Sequence, residues 1–507
     1  MVSDANEIEK DLTLLAKSSI FVFVAIFISK LFMYLYRIVI ARYYTPEIYG
    51  IFSLAFMITG FFVAFASLGF YEGILRFIPY YRSKQKEDKI KYLINFSKRI
   101  LLISSLLSTF FLFFSSDFIA INFFHNIDLA FYLKVFAFLI PVQIFGNFHL
   151  GIIRSYEKIK TYSFGMNILQ NLSKFVFILF FILIGINSNN AIATSYFIGV
   201  FSGLIFAYLY CRIKIPKIFT KYYFSKKEKS EVRNKFFSYS WPLILFSIIG
   251  TLMFWIDTLL VGYFKDAYWV GIYNAAVPIA LLLIFASEIF MQLFFPLITR
   301  EFTSKNFIVV RELSKQVTKW IFMINLPITI LILLFPGVFI NLFFGAEYLL
   351  AVNALRFLAL GQFMYSIASV SSNMLLSSGK SKIILVNLII ASLINLILNI
   401  ILIPTYGIDG AAMATFISFS FLSIVIISEN YYLNKIFPFR RKMLSIFLIS
   451  LVLSSGLYYL SNFFQVGILQ LSIFGILFIL IYLILIFLTK SFDKNDLMIL
   501  KKILRKN

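Results

Sequence analysis

The run Ser18–Ile40, SSIFVFVAIFISKLFMYLYRIVI, is long enough for a helix to cross a bilayer, yet Lys30 and Arg37 interrupt it. Lys30, Tyr34 and Arg37 stand at i, i+4 and i+7, which puts all three on one helical face. A charge at that depth is costly and turns toward a polar cavity inside a helix bundle. This face is therefore expected to line a path for an anionic substrate. Other charges sit inside or at the edges of later apolar runs: Glu72 and Arg76 one turn apart, Lys134, Lys174, Asp257, Glu288 and Arg356. The deep cations outnumber the anions, a balance suited to a diphosphate or an acidic sugar, which Arg and Lys bind well. Lys30, Tyr34, Arg37, Arg76 and Lys174 are the candidate substrate ligands, with Tyr34 and Tyr36 also able to stack on sugar faces. Asp257, Glu288 and Glu72 are the candidates for ion coupling or gating, because buried carboxylates titrate with conformation.

Plainer roles compete with each of these. Arg76, Lys134 and Arg356 are close enough to span ends to snorkel into headgroups. Glu72 and Arg76 have the spacing of an intrahelical ion pair. Arg37 could pair with Asp257 purely to hold the fold together. Two histidines and one cysteine, Cys211, leave no basis for a His-rich metal site or an intramolecular disulfide. No G-x-x-x-x-G-K-[ST] motif is present, so ATP hydrolysis by this chain is not expected. No cofactor is expected; coupling to H+ or Na+ stays open.

The elements that carry these residues are read as helices throughout. Of 507 residues 61% are hydrophobic, which leaves no room for an ordinary soluble domain and makes the chain a polytopic membrane protein. Apolar runs at 18–40, 48–71, 100–114, 129–150, 163–185, 191–211, 241–263, 270–299, 320–340, 349–376, 383–403, 410–433, 443–460 and 471–489 give about fourteen transmembrane helices. The first run exceeds a signal-peptide core and lacks an A-x-A site, so it is expected to be retained. Outside the runs, Lys and Arg concentrate in 1–17, 80–99, 151–162, 212–240, 300–319, 377–382, 434–442 and 490–507, while the alternate segments hold only Arg42 and Lys265. This alternation places both termini in the cytoplasm and accounts for the net charge of +23 as topology and headgroup attraction. With short loops and no nucleic-acid fold visible, nucleic acid is not an expected partner; membrane lipids are.

The chain also repeats itself. Pro46-Glu47-Ile48-Tyr49-Gly50-Ile51-Phe52 after the first run is echoed by Ala267-Tyr268-Trp269-Val270-Gly271-Ile272-Tyr273 after the seventh. Arg76-Phe77-Ile78-Pro79 corresponds to Phe294-Phe295-Pro296-Leu297, and Ala191-Ile192-Ala193-Thr194 to Ala411-Ala412-Met413-Ala414-Thr415. Two six-helix repeats entering from the same side are expected to form N- and C-lobes around a central cavity, as in transporters built from parallel repeats. The expected layout is a cytoplasmic N-terminus at 1–17, an N-lobe at 18–211, a basic cytoplasmic linker at 212–240 and a C-lobe at 241–433. Two further helices at 443–489 and a basic cytoplasmic tail at 490–507 complete it. Counting back from Gly50 and Gly271 brings Arg37 and Asp257 to similar depth on facing helices.

The segments Ala41-Arg42-Tyr43-Tyr44-Thr45-Pro46-Glu47-Ile48-Tyr49-Gly50 and Leu68-Gly69-Phe70-Tyr71-Glu72-Gly73-Ile74-Leu75-Arg76-Phe77 resemble elements of the Wzx-type flippases. These belong to the multidrug/oligosaccharidyl-lipid/polysaccharide exporter superfamily, and the span count and repeat extend the likeness over nearly the whole chain. The resemblance implies an all-α membrane protein that moves an isoprenoid-diphosphate-linked oligosaccharide outward by alternating access, for polysaccharide or surface-glycan biosynthesis. Arg76 and Glu72 match its span-two motif and Gly50 the turn before it; it assigns no role to Lys174, Asp257 or Glu288. Glycosyltransferases or a polymerase of the same pathway would be partners. The alternatives are a cation-coupled multidrug exporter on the same fold and, from another class, a membrane glycosyltransferase or polymerase. Against an enzyme, the longest outward segment of the core, Ser115–Asp128, offers only Asp117, His125 and Asp128.

Overall fold

The computed structural model describes residues 24, 26–186, 189–220, 226–461, 468–489 and 491. The expected cytoplasmic N-terminus, the start of the first apolar run and nearly all of the basic tail lie outside these. Among the described residues there is no strand, and the fold is all-α. In hydrocarbon every backbone N–H and C=O must find its partner within the protein, and a helix does so within a single segment. Contacts divide the chain into two compact units, Met1–Gly271 and Ile272–Asn507.

In the first unit, α1 (residues 26–43) ends in a short turn, and α2 (Pro46–Ala66) comes next. Its start is written locally: Thr45 caps with its hydroxyl accepting from the Ile48 N–H, and Pro46 takes the first turn, where its missing donor is harmless. The second expected span is broken at Ser67-Leu68-Gly69, where Leu68 and Gly69 adopt φ of 52° and 65°, and resumes as α3 (Phe70–Ser83). α4 (Glu87–Phe118) runs on through a π-helical stretch to Phe123, so the third span begins inside the basic segment and is far longer than expected. α5 (Ile127–Ala137) and α6 (Leu139–Ser155) form one path across. α7 (Ile159–Ser163), a π-helical stretch (Phe164–Leu169) and α8 (Gln170–Leu183) form the next, succeeded by α9 (Asn189–Lys214). α10 (Lys226–Phe264) carries the seventh apolar run and extends back through much of the basic segment before it.

α11 (Ala267–Thr303) begins in the first unit and continues into the second. Then come α12 (Phe307–Leu334), α13 (Pro336–Phe343), α14 (Val352–Ser377) and α15 (Ser381–Asn434). α16 (Lys442–Ser461) and α17 (Ile468–Leu488) close the described chain and pack on α12: Met443, Ile446, Phe478 and Tyr482 share a core with Phe322, Leu326 and Leu331. Eleven described helices are long and apolar enough to cross a membrane. The expected fourteen runs differ for three reasons: the first is only partly described, the described apolar part of α17 is shorter, and runs eleven and twelve, the two arms of α15, follow each other without a loop and are counted once. α15 leaves helical geometry at Gly407, whose φ of 60° and ψ of −135° favour glycine, and its second arm runs back along the first, Asn387 meeting Glu429 and Asn395 meeting Thr415. Much of the Phe surplus faces outward, as at Phe110, Phe111 and Phe114 of α4.

The repeat-equivalent glycines Gly50 and Gly271 meet. A Cβ on Gly50 would lie 1.7 Å from the Ala267 carbonyl oxygen, and one on Gly271 would lie 1.8 Å from the Pro46 carbonyl oxygen. The first turns of α2 and α11 thus touch backbone to backbone, each supplying the glycine that the other requires. Gly50→Ala or Gly271→Ala is expected to cost about 1–3 kcal/mol or more through overpacking, read as a lower unfolding midpoint of the purified protein in detergent. Gly60→Ala, whose Cβ would meet nothing within 4 Å, is expected to leave that midpoint unchanged or raise it slightly.

Candidate functional site

The most concentrated intramembrane chemistry of the first unit lies where α1, α2, α8, α9 and α10 converge. α8 is held to α1 by Asn171, whose Nδ2 donates to Ser29 Oγ at 2.9 Å, and by the rings of Phe32 and Phe175 at 5.6 Å. α9 approaches α8 along Gly199 and Gly203, one turn apart. A Cβ on Gly199 would lie 2.2 Å from Lys174 Cγ, and one on Gly203 would lie 2.4 Å from Gln170 Nε2. The small-xxx-small face thus makes room for two long polar side chains of α8. The π-helical stretch Phe164–Leu169 precedes them; its wider turn rotates the α8 residues beyond it and sets which face carries Gln170 and Lys174.

Around these helices an aromatic cluster forms. Tyr36 is buried, donates its hydroxyl to the Ile192 carbonyl at 3.1 Å and lies 3.2 Å from Ser195 Oγ, which ties α1 to α9. The Tyr196 ring is met by Phe52 at 5.9 Å, Phe56 at 5.7 Å and, stacked, Phe136 at 5.5 Å. Phe56 in turn meets Trp255 edge-on at 5.4 Å. Both cations rest on this cluster. The Lys174 ammonium lies 4.2 Å from the Tyr196 ring centre. The Arg37 guanidinium lies 5.8 Å from that of Trp255, with the Tyr49 hydroxyl within electrostatic range. The two are near enough to repel each other electrostatically. A ring face offers a cation about 0.5–2 kcal/mol, enough to hold it within the protein and less than a phosphate would offer.

The other candidates lie elsewhere on these helices or in the second unit. Lys30 and Tyr34 are half-buried on α1. Asp257 is buried on α10, two residues beyond Trp255, so α1 and α10 do face each other at the level of Arg37. Arg76 is exposed on α3, 4.1 Å from the Tyr239 ring, with Glu72 half-buried one turn earlier. At this end Gly69 lets α10 come close: a Cβ there would lie 2.4 Å from the Ser240 carbonyl oxygen. Glu288 is in the second unit on α11, within electrostatic range of Tyr365 on α14. Lys134 pairs with Asp117 at 2.8 Å, and Arg356 donates to the Leu333 carbonyl and to Asn353 at 3.1 Å each, which gives both cations structural partners.

Several residues come to notice only in the structure. Tyr196, Trp255 and Tyr49 carry no mark that distinguishes them among 29 tyrosines and four tryptophans. Lys319 stands at the last position of a basic segment, where solvent is the natural expectation, but it is fully buried in α12 and donates to the Ser491 carbonyl at 3.3 Å. Glu429 is a further intramembrane charge, and its place inside the twelfth apolar run is the signal that marks it; it accepts from Asn387 of the eleventh. Replacing the buried donor by Tyr36→Phe is expected to cost about 1 kcal/mol, measured as a lower unfolding midpoint in detergent, without loss of membrane insertion.

A family model described as polysaccharide biosynthesis protein matches residues 15–302, and a second, MatE, matches residues 242–401. An uncharacterised membrane protein of Methanocaldococcus jannaschii is 27% identical over 427 residues, 80% of each chain. The putative O-antigen transporter of Shigella flexneri is 26% identical over 389 residues, 74% of this chain and 88% of its own. Among solved structures, the lipid II flippase MurJ in an inward closed conformation shares the fold with a TM-score of 0.71 at 21% identity, covering 93% of this chain and 99% of its own. A match across more than half of its length, on an all-α fold of membrane-spanning helices, shows that the chain belongs to the polysaccharide biosynthesis protein family.

Proposed function

We propose that this protein is a flippase. It moves a lipid-linked oligosaccharide, carried on an isoprenoid diphosphate, from the cytoplasmic to the outer leaflet of the cell membrane for the synthesis of a polysaccharide or surface glycan. The observation that carries this reading is the pair Arg37 and Lys174, held at membrane depth over the rings of Trp255 and Tyr196. A diphosphate would draw both cations off their rings into charge-assisted hydrogen bonds and relieve their mutual repulsion, and the vacated rings would be free to stack on sugar. Lys30 and Tyr34 on α1 extend the path, and Arg76 lies at the end near the basic segments. No covalent step is required of the protein, in keeping with relatives named as transporter and flippase.

Basic segments on one side put both termini in the cytoplasm. Alternating access would be driven by H+ or Na+ taken up at Asp257, Glu288 or Glu72, and glycosyltransferases or a polymerase of the same pathway would supply or consume the glycan. The MatE match over 242–401 favours a second reading, a cation-coupled multidrug exporter. The two positive groups at the candidate site suit an organic cation poorly.

Proteoliposomes loaded with a labelled diphosphate-linked glycan distinguish the two. Translocation of the glycan is expected, with Lys174→Ala and Arg37→Ala each lowering the initial rate about tenfold or more, as loss of one charge-assisted hydrogen bond would, and Lys30→Ala weakening it. Movement of an organic cation with no movement of glycan overturns the proposal. Arg37→Ala is expected to fold unaided; if it folds only together with Asp257→Ala, Arg37 is half of a structural pair and leaves the substrate site.

A further inference from the structure

Helix ends of the second unit meet at one place: the last turn of α11, the first turn of α12, the last turn of α14, and both ends of the long α15. Between them is an open cavity of about 630 Å³. Its lining carries three cations, Arg311, Lys380 and Lys435, and three hydroxyls, Thr303, Ser377 and Ser378, with no carboxylate among the described lining residues. The neighbouring acids are engaged elsewhere. Glu301 accepts from Arg300 at 2.8 Å and from Asn306 at 3.3 Å, and Glu312 pairs with Arg440 at 2.7 Å.

Two of the cations are held in place by bonds that use only part of their donor capacity. Arg311 donates one N–H to the Lys435 carbonyl at 3.4 Å, and Lys380 donates to Asn434 Oδ1 at 3.0 Å. A guanidinium has five N–H donors and an ammonium three, so donors remain for a ligand. The Thr303 and Ser378 hydroxyls donate to the Thr299 and Leu375 carbonyls, so the cations carry the site, and positive charge with spare donors is the chemistry of a phosphate site.

The surroundings say from where a phosphate would come. Phe307, Leu433, Tyr431, Tyr432 and Phe437 expose their side chains around these helix ends. Aromatic and apolar side chains exposed where spanning helices end lie at headgroup level, apolar part toward the acyl chains. A basic pocket between helices at that depth is suited to a lipid headgroup.

We propose that this cavity binds the phosphate group of an anionic membrane lipid and, through it, pins the ends of α11, α12, α14 and α15 together. The site is built from residues other than the Arg37–Lys174 cluster, and its test reads binding, so it stands or falls apart from the transport reading.

The test titrates phosphatidylglycerol onto the purified full chain in detergent, with native mass spectrometry to count lipid retained. One tightly held phosphatidylglycerol is expected, with phosphatidylcholine held less well because its own cation sits beside the phosphate. The double variant R311Q/K380Q is expected to lose it, about fivefold in affinity per cation removed, whereas the charge-keeping R311K/K380R retains most of the binding. Lys435→Gln, on an exposed side chain, is the second variant and is expected to weaken binding about fivefold while the fold is kept. The control K84Q/K86Q, in a basic segment of the first unit, is expected to change nothing. Unchanged affinity in both R311Q/K380Q and Lys435→Gln overturns the proposal, as does an equal loss in K84Q/K86Q, which would mean diffuse attraction. Inorganic pyrophosphate at millimolar concentration separates the sources. Failure to displace the lipid supports a headgroup site, and binding of pyrophosphate with no retained lipid overturns the lipid source in favour of a soluble phosphate compound.

Discussion

Taking a formal charge out of water and into hydrocarbon costs several kcal/mol, and each deep charge in this protein has to be provided for by what surrounds it. Two kinds of provision are visible. Lys134 is met by a carboxylate and Arg356 and Lys319 by carbonyls, and such groups hold helices in place. Arg37 and Lys174 rest instead on ring faces. Ring faces stabilise a cation without neutralising it. A cation kept in this way retains most of its attraction for an anion, and the cluster around Tyr196 is where the fold has stored that attraction.

The aromatic cluster depends on close helix packing, which is in turn decided by glycine. Gly199 and Gly203 let α9 lie against Lys174 and Gln170, and without that approach Tyr196 could not reach the ammonium. Gly50 and Gly271 bring the starts of α2 and α11 into backbone contact, and α2 carries Tyr49, Phe52 and Phe56 into the cluster. Lipid tails are as apolar as leucine, so burying apolar area gives helices in a membrane little reason to associate; close van der Waals contact across small residues supplies it. The repeat in the sequence therefore marks positions where backbones touch.

Much of the fold is legible in the sequence. Apolar length identifies the spans because no other backbone arrangement is tolerated in hydrocarbon, and the position of Thr45-Pro46 marks a helix start by capping chemistry alone. The boundaries are less legible. α4 and α10 extend deep into basic segments, because Lys and Arg favour helix about as well as leucine and hydropathy registers only where lipid begins. Lys319 is deceptive for the same reason: its position at a run's edge suggests solvent, and its burial becomes visible only with Ser491 returning to it.

For the site, Lys30, Tyr34, Arg37, Lys174 and Asp257 can be picked from sequence because a charge or polar ring in an apolar run is rare enough to stand out. Their surroundings cannot. Tyr196, Trp255 and Tyr49 are ordinary members of an aromatic-rich chain, and their importance comes from contacts between α1, α2, α8, α9 and α10 that no local pattern encodes. Sequence by itself determined the class of fold, the chemical character of the buried charges and the repeat, since each reflects the cost of charge and of unpaired backbone in hydrocarbon. Tertiary structure alone decided which charges meet, which are neutralised by a partner and which are left resting on rings, because those outcomes depend on distances of a few ångströms between helices far apart along the chain.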